Sequence, residues 1–240
     1  MRYARHIALP QVGAAGQERL AASHALVIGL GGLGSPASLY LANAGVGQLT
    51  ICDHDRVDAT NLPRQILFGT GDIGEPKTSA AAKALKLGNP DVAIMELEGR
   101  LTEAQLSAAV ATADVVLDCT DNFQTRTLIN RVCAPRKKTL VTGAAIRFEG
   151  QLTVFDFARK ERPCYSCLYS AADENFGDCA GQGILAPVAG TIGCMMATEA
   201  LKALLGMESD LQGKVWIYDA LAGTSRTIGI PARADCPVCA

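Results

Sequence analysis

Neither sign of charge predominates in this sequence. Lys and Arg number 22 against 24 Asp and Glu, so the balance singles out neither nucleic acid nor an anionic membrane, and the expected partner is a protein or a small molecule. The opening MRYARHIALPQVG lacks the long apolar core of a secretory signal, so a cytoplasmic location is the default expectation. A clean membrane-spanning run is missing too. The longest uncharged stretch, Cys179 to Thr198, holds Gln182, Pro187 and four glycines, and is expected as a loop followed by a helix start. Histidine is scarce: His6, His24 and His54 are the 3 present. They form no triad or metal-box pattern and are expected at the surface or in loops. No internal repeat or low-complexity tract interrupts the chain.

What is present suits one well-buried domain. With 240 residues, 49% of them hydrophobic, the chain can bury a sizeable core but is short for two ordinary domains. ALVIGL (25–30) is an apolar run that ends in glycine. It is followed by a glycine cluster and Ser35-Pro36, which predict strand, tight turn and helix, with Ser35 as N-cap. LTICDHD (49–55) reads as a second buried strand, PKTSAAAKALKL (76–87) as a helix, and Thr102 with Gln105 stands at capping-box spacing for another. VVLDCTDN (115–122) and TLVTGAAI (139–146) have strand length with helical sequence between them. Such alternation predicts an α/β fold: a Rossmann-like, mostly parallel sheet with helices on both faces. From residue 151 the pattern changes. QLTVFDF, VWIYDAL and TSRTIGI predict an antiparallel extension in the C-terminal third, with a helix over 189–205. The division expected is an N-terminal helical arm (1–24), a nucleotide-binding core (25–150) and an extension (151–240).

Gly29, Gly31 and Gly34 fit G-x-G-x-x-G in the strand-to-helix context that the motif requires. Glycines let the backbone approach a phosphate, and a helix N-terminus offers it free N–H groups and a favourable dipole. Asp53 follows 19 residues after Gly34, placed to accept hydrogen bonds from ribose hydroxyls. Taken alone, this favours a nicotinamide-dependent dehydrogenase. Downstream, however, Asn61, Arg64, Gln65 and Lys77 crowd polar and cationic groups where a dinucleotide needs few, and such groups suit a triphosphate. Asp118 and Asp121 fall at the C-terminal end of a later strand, where carboxylates together with phosphates make reasonable Mg²⁺ ligands.

The nine cysteines are an odd number, and a disulfide framework is unexpected in a reducing compartment. Cys164 and Cys167 form one CxxC pair, and Cys236 and Cys239 form a second, with 68 residues between the pairs. Each alone admits a redox pair or chance. Together they can supply the four thiolates of structural Zn²⁺ and pin the C-terminus to the body. Cys52, Cys119, Cys133 and Cys194 lie in apolar contexts and are expected as small core residues. Cys179 differs, sitting in the acidic, glycine-rich stretch SAADENFGDCAGQG.

These motifs, in this order, resemble the bacterial E1-like enzymes of the ubiquitin-activating superfamily, the MoeB/ThiF family of sulfur-carrier adenylyltransferases. The resemblance rests on GLGGLG (29–34), DHDRVDATNLPRQ (53–65), Pro76-Lys77, DCTDN (118–122) and GAAIRFEGQLTVF (143–155), and it runs from Arg2 to Cys239. It implies ATP and Mg²⁺ as cofactors. Gly32 and Asp53 would hold the nucleotide, Asn61, Arg64 and Lys77 its phosphates, and Asp121, with Asn122 beside it, the magnesium ion and developing charge. The two CxxC pairs match the family's zinc site. Arg5 matches an arginine inserted into the neighbouring subunit's site, which implies a homodimer. Cys179 stands where some members form a thioester-like or acyl-disulfide link to the carrier. The implied partner is a ubiquitin-like sulfur carrier ending in Gly-Gly, with the molybdopterin-synthase subunit somewhat favoured over the thiamine carrier. Because the chain ends just after Cys239, sulfur is expected from a separate donor protein. The competing readings are a dehydrogenase and an inactive partner of an E1-like pair.

Overall fold

The structure is a computed structural model that describes residues 2–159, 163–169 and 183–240. The run HALVI forms β1 (His24–Ile28), buried along its whole length, because it is covered on both faces. Its side chains divide by the pleat: Ala25 and Val27 enter one core, Leu26 and Ile28 the other. Around it lie β2 (Gln48–Asp53), β3 (Ala93–Glu98), β4 (Val115–Asp118), β5 (Thr139–Ile146), β6 (Glu149–Asp156), β7 (Lys214–Asp219) and β8 (Thr224–Gly229). They form one eight-stranded sheet of order β3-β2-β1-β4-β5-β6-β7-β8. Pairing is parallel from β3 through β5 and antiparallel from β5 through β8. The mostly parallel sheet and its antiparallel extension are those expected.

Helices cover both faces. From α3 (Gly34–Ala44), α4 (Lys77–Gly88) and α8 (Ala186–Leu204), residues such as Leu41, Leu85 and Met196 fill the first core. From α5 (Glu103–Thr112) and α6 (Phe123–Cys133), Leu106, Val110 and Ile129 fill the second. The N-terminal arm consists of α1 (Ala4–Ile7) and α2 (Gly13–Ala21), and a short α7 (Tyr165–Leu168) follows Cys164. No helix among the described residues is long and apolar enough to cross a membrane.

Local chemistry explains most boundaries. Thr102 and Gln105 form the reciprocal capping box at the start of α5, with Thr102 N–H donating to Gln105 Oε1 at 2.9 Å. Gly45 ends α3 in the left-handed conformation that favours glycine. One detail departs from expectation: Ser35 does not cap α3. The helix already begins at Gly34, and the Ser35 hydroxyl donates to the Leu30 carbonyl at 3.0 Å, which ties the turn to the helix and leaves its first N–H groups uncapped by side chains. His24 also departs. It is buried in β1, with its ring nitrogens 3.0 Å from the Thr112 carbonyl oxygen and 2.8 Å from Thr50 Oγ1.

Because β2 and β4 flank β1 and the chain order reverses between β1 and β4, the connections leaving the C-terminal ends of β1 and β4 run to opposite faces of the sheet and leave a crevice. The candidate site lies there.

Candidate functional site

A cavity of about 840 Å³ opens at this crevice. Its lining includes Gly29, Gly31 and Gly32 from the turn, Asp53, His54 and Asp55 after β2, and Asn61, Arg64, Gln65 and Lys77. Asp121, Asn122 and Arg126 line it from the far side. The nucleotide-site residues singled out in sequence therefore converge, apart from Gly34, Asp118 and Arg5. Gly34 sits beneath the turn rather than on the wall, and Arg5 is exposed on α1, away from this cavity.

The turn must be built of glycine at two points. Gly29 takes φ +91°, and a Cβ there would meet the Cys119 carbonyl oxygen at 2.8 Å; at Gly34 a Cβ would fall 1.8 Å from the Gly29 carbonyl oxygen. Asp53 braces the turn from the next strand. Its carboxylate accepts the Leu30 N–H at 2.7 Å and the Asp55 N–H at 2.9 Å, so it organises the crevice as well as lining it. Asp118 is wholly engaged in the same way. It is buried, accepting from the Thr120 N–H and hydroxyl and from the Thr142 hydroxyl. Of the two acids expected as Mg²⁺ ligands, Asp118 is thus committed to the protein. Asp121 is exposed to the cavity and, among the described residues, has no side-chain partner in hydrogen bond or ion pair.

The cations are held in distinct ways. Lys77 is buried at the start of α4, with Nζ 2.9 Å from Asp55 Oδ2. Burial acts to raise the pKa of the Asp55 carboxyl, but the hydrogen bond and charge of Lys77, helped by His54 and Arg100, carry it below its ordinary value. Arg64 is half-buried and donates from Nη1 to the Thr60 carbonyl at 2.9 Å. Asn61 uses Oδ1 to accept the Asp58 N–H, and Asn122 uses Oδ1 to cap α6 at the Thr125 N–H, which leaves each amide nitrogen for a ligand. Gln65 is buried, and its Oε1 has no partner among the described residues. An acceptor of that kind left unpaired costs about 1–3 kcal/mol, and a donor on a bound molecule satisfies it. The donor set therefore fits a polyanion: glycine-turn amides, two cations and one unpaired carboxylate that can take a hard cation.

Asp55, Arg100 and Arg126 also line the cavity, although no motif taken alone points to them. Asp55 was signalled by its place in DHD, and Arg126 by falling in the second turn of a helix whose cap, Asn122, belongs to the motif.

The four CxxC cysteines also come together. Cys164 Sγ is 3.6 Å from Cys236 Sγ, Cys167 Sγ is 3.5 Å from Cys239 Sγ, and all four sulfurs lie within 4.8 Å of one another. A tetrahedron with Zn–S arms of about 2.3 Å has edges of roughly 3.8 Å, so the donor set and its spacing fit a metal ion of that preference. Burial opposes ionisation of Cys236, yet backbone N–H donation from Val238 and Cys239 brings its thiol down to about 7. Cys52, Cys119 and Cys133 are buried as expected, and burial pushes the Cys52 and Cys133 thiols up to about 12. Cys194 is half-buried, and Cys179 lies outside the described residues.

Such a sheet, with a glycine turn and cations at its switch point, defines a nucleotide-binding α/β protein. Residues 3–238 match the family model described as the ThiF family, and the chain belongs to that family. It is 44% identical to the molybdopterin-synthase adenylyltransferase of Escherichia coli K12 over 239 residues, covering 100% of this chain and 96% of that one. It is 44% identical over 239 residues to the sulfur carrier protein ThiS adenylyltransferase of the same organism, covering 100% of this chain and 94% of the relative. Among solved structures, E. coli MccB with ATP superposes with a TM-score of 0.87 over 100% of this chain and 74% of that chain, at 21% identity, a likeness of fold.

Proposed function

We propose that this protein is an ATP-dependent adenylyltransferase acting on the C-terminal glycine carboxylate of a ubiquitin-like sulfur-carrier protein. The observation that carries the reading is the convergence of Arg64, Lys77 and Asp121, which has no side-chain partner among the described residues, on one cavity beside the glycine turn. The names of the relatives support the same chemistry over hydride transfer.

A terminal carboxylate has a pKa of about 3.3–3.7 and is already ionised at neutral pH. No general base is needed, in keeping with a site whose lining histidine, His54, is paired with Asp55 at 3.3 Å. The carboxylate oxygen attacks the α-phosphorus of ATP, and the bond from that phosphorus to the bridging oxygen breaks, giving an acyl-adenylate and pyrophosphate. The protein's work is to orient two anions and offset charge that builds on the departing phosphates. The glycine-turn amides and Asn61 hold the phosphates, Lys77 and Arg64 take up the developing charge, and Asp53 braces the turn against the ribose end. Mg²⁺, when bound, neutralises phosphate charge, and Asp121 is the residue that would hold it. Zn²⁺ in the four-thiolate site would be structural, since four protein ligands leave it no open position.

The finer assignments belong to the same reading. The whole chain forms one adenylation domain, working in the cytoplasm as a homodimer in which Arg5 completes the partner's site. A separate protein donates the sulfur, and Cys179 is a candidate for the covalent link. Relatives of equal identity are named for molybdopterin and thiamine carriers, so both branches are tested together. Purified protein with Mg²⁺ is assayed for ATP–pyrophosphate exchange with each Gly-Gly carrier. Exchange that depends on one of them supports the reading and names the branch; exchange with neither, when both carriers work with another enzyme, overturns it.

A further inference from the structure

The cysteine cluster and the nucleotide cavity are separate features of the fold, and α6 runs between them. Its beginning belongs to the cavity: Asn122 caps it, and Thr125, Arg126 and Ile129 line the wall. Its far half belongs to the cysteines. Asn130 is fully buried, and its carboxamide grips the segment that carries the first CxxC pair. Nδ2 donates to Cys164 Sγ at 3.5 Å and to Ser166 Oγ at 3.2 Å, while Oδ1 accepts the Tyr165 N–H at 3.0 Å. Arg126, one turn earlier on the same side of the helix, donates through Nε and Nη2 to the Thr120 carbonyl, next to Asp121. Its guanidinium also reaches the buried Tyr165 hydroxyl.

Two neighbouring side chains of one helix thus hold both the loop of Asp121 and the knuckle of Cys164. An N–H donated to a ligating sulfur fixes the direction in which its remaining lone pairs point. We propose that Asn130 is a positioning residue of the metal site that fastens it to α6, so that filling the four-thiolate site and binding nucleotide in the cavity strengthen one another. This rests on the zinc reading above. By linkage, whatever factor metal adds to nucleotide affinity, nucleotide must add to metal affinity.

The test uses full-length protein stripped of metal and titrated with Zn²⁺ against a competing chelator, with and without a non-hydrolysable ATP analogue and Mg²⁺. For wild type, the analogue should tighten Zn²⁺ binding by about fivefold or more. Asn130→Ala should bind Zn²⁺ about 10- to 100-fold more weakly and lose the response to the analogue. Asn130→Asp keeps an acceptor for the Tyr165 N–H and removes the donor to Cys164, so its Co²⁺-loaded form should show a shifted sulfur-to-metal charge-transfer band. Wild-type affinity indifferent to nucleotide, or variants that match wild type in Zn²⁺ affinity and in the cobalt band, overturns the proposal while leaving the zinc reading intact. Wild type that takes up no Zn²⁺ overturns both. Should the alanine variant fail to fold, the wild-type titration and the aspartate spectrum decide the matter.

Discussion

The ammonium of Lys77 sits 2.9 Å from a carboxylate oxygen of Asp55 in the wall of the cavity. Lys77 is buried, but the Asp55 side chain is 51% exposed, so the pair is worth nearer the ~1 kcal/mol of a solvated ion pair than the ~3–5 kcal/mol lost on breaking a buried one. Asp55→Asn should therefore reduce stability by about 1 kcal/mol. The pH dependence follows from the lowered carboxyl pKa. A depressed carboxyl contributes stability that is fully present above its unfolded value of about 3.9 and is lost as pH falls through the folded value. Urea unfolding of both proteins should show a gap that is constant from about pH 5 to pH 8 and closes as pH drops below about 4. A gap that instead widens in acid would show that Asp55 is not held ionised by Lys77.

Gly31 and Gly34 make opposite predictions. At Gly34 an added Cβ meets the backbone oxygen of Gly29 at 1.8 Å, whereas at Gly31 the nearest atom is Gln65 Nε2 at 3.8 Å. Gly34→Ala should cost about 1–3 kcal/mol of stability, because backbone must move. Gly31→Ala should fold with wild-type stability and lose ATP affinity, since the methyl occupies space that the phosphate needs. Calorimetric titration with ATP alongside thermal unfolding separates the two. Undiminished ATP affinity in Gly31→Ala would remove the turn as a phosphate cradle.

Arg64 and Asp121 test charge stabilisation more directly. Asp121 is exposed and, among the described residues, has no hydrogen-bond or ion-pair partner for its side chain, so Asp121→Ala should change stability by no more than about 0.5 kcal/mol. Its adenylation rate should nevertheless fall about 10²- to 10³-fold, and that of Arg64→Ala likewise. Single-turnover formation of acyl-adenylate is the measurement. Rates within a few-fold of wild type would place both residues outside the mechanism.

Motifs whose chemistry is local were legible in sequence: the glycine turn, the Thr102–Gln105 box and the paired CxxC spacing each announce one geometry. Strands buried on both faces, such as β1, were legible as apolar runs. β3 was not, because AIMELE at the sheet edge is mostly exposed and carries glutamates at alternate positions. His24, Asp118 and Asn130 were also misjudged or passed over. Asp118 accepts from Thr120 two residues on, but Thr112 and Thr50, Thr142, and Cys164 lie 24 or more residues from His24, Asp118 and Asn130, and no local pattern encodes a partner that a buried polar group finds through the tertiary fold.

Arg5 gives the sharpest test of assembly. It is exposed on α1 and does not line the cavity of its own chain, so a role in catalysis requires that a second subunit bring it to the site. Arg5→Ala and Asp121→Ala should each be inactive as homodimers for different reasons, one site lacking the arriving cation and the other the carboxylate. In a hybrid dimer, one cavity combines the intact Asp121 of the Arg5→Ala chain with the intact Arg5 of the Asp121→Ala chain, while the other cavity lacks both. Random exchange makes half of the dimers hybrids, each with one complete site, so mixing should restore about a quarter of wild-type activity per subunit. The measurement is pyrophosphate exchange after mixing, with differently tagged chains used to verify hybrid formation. Hybrids that form but stay inactive would place Arg5 outside the partner's site and leave the crevice of each subunit to work with its own cations alone.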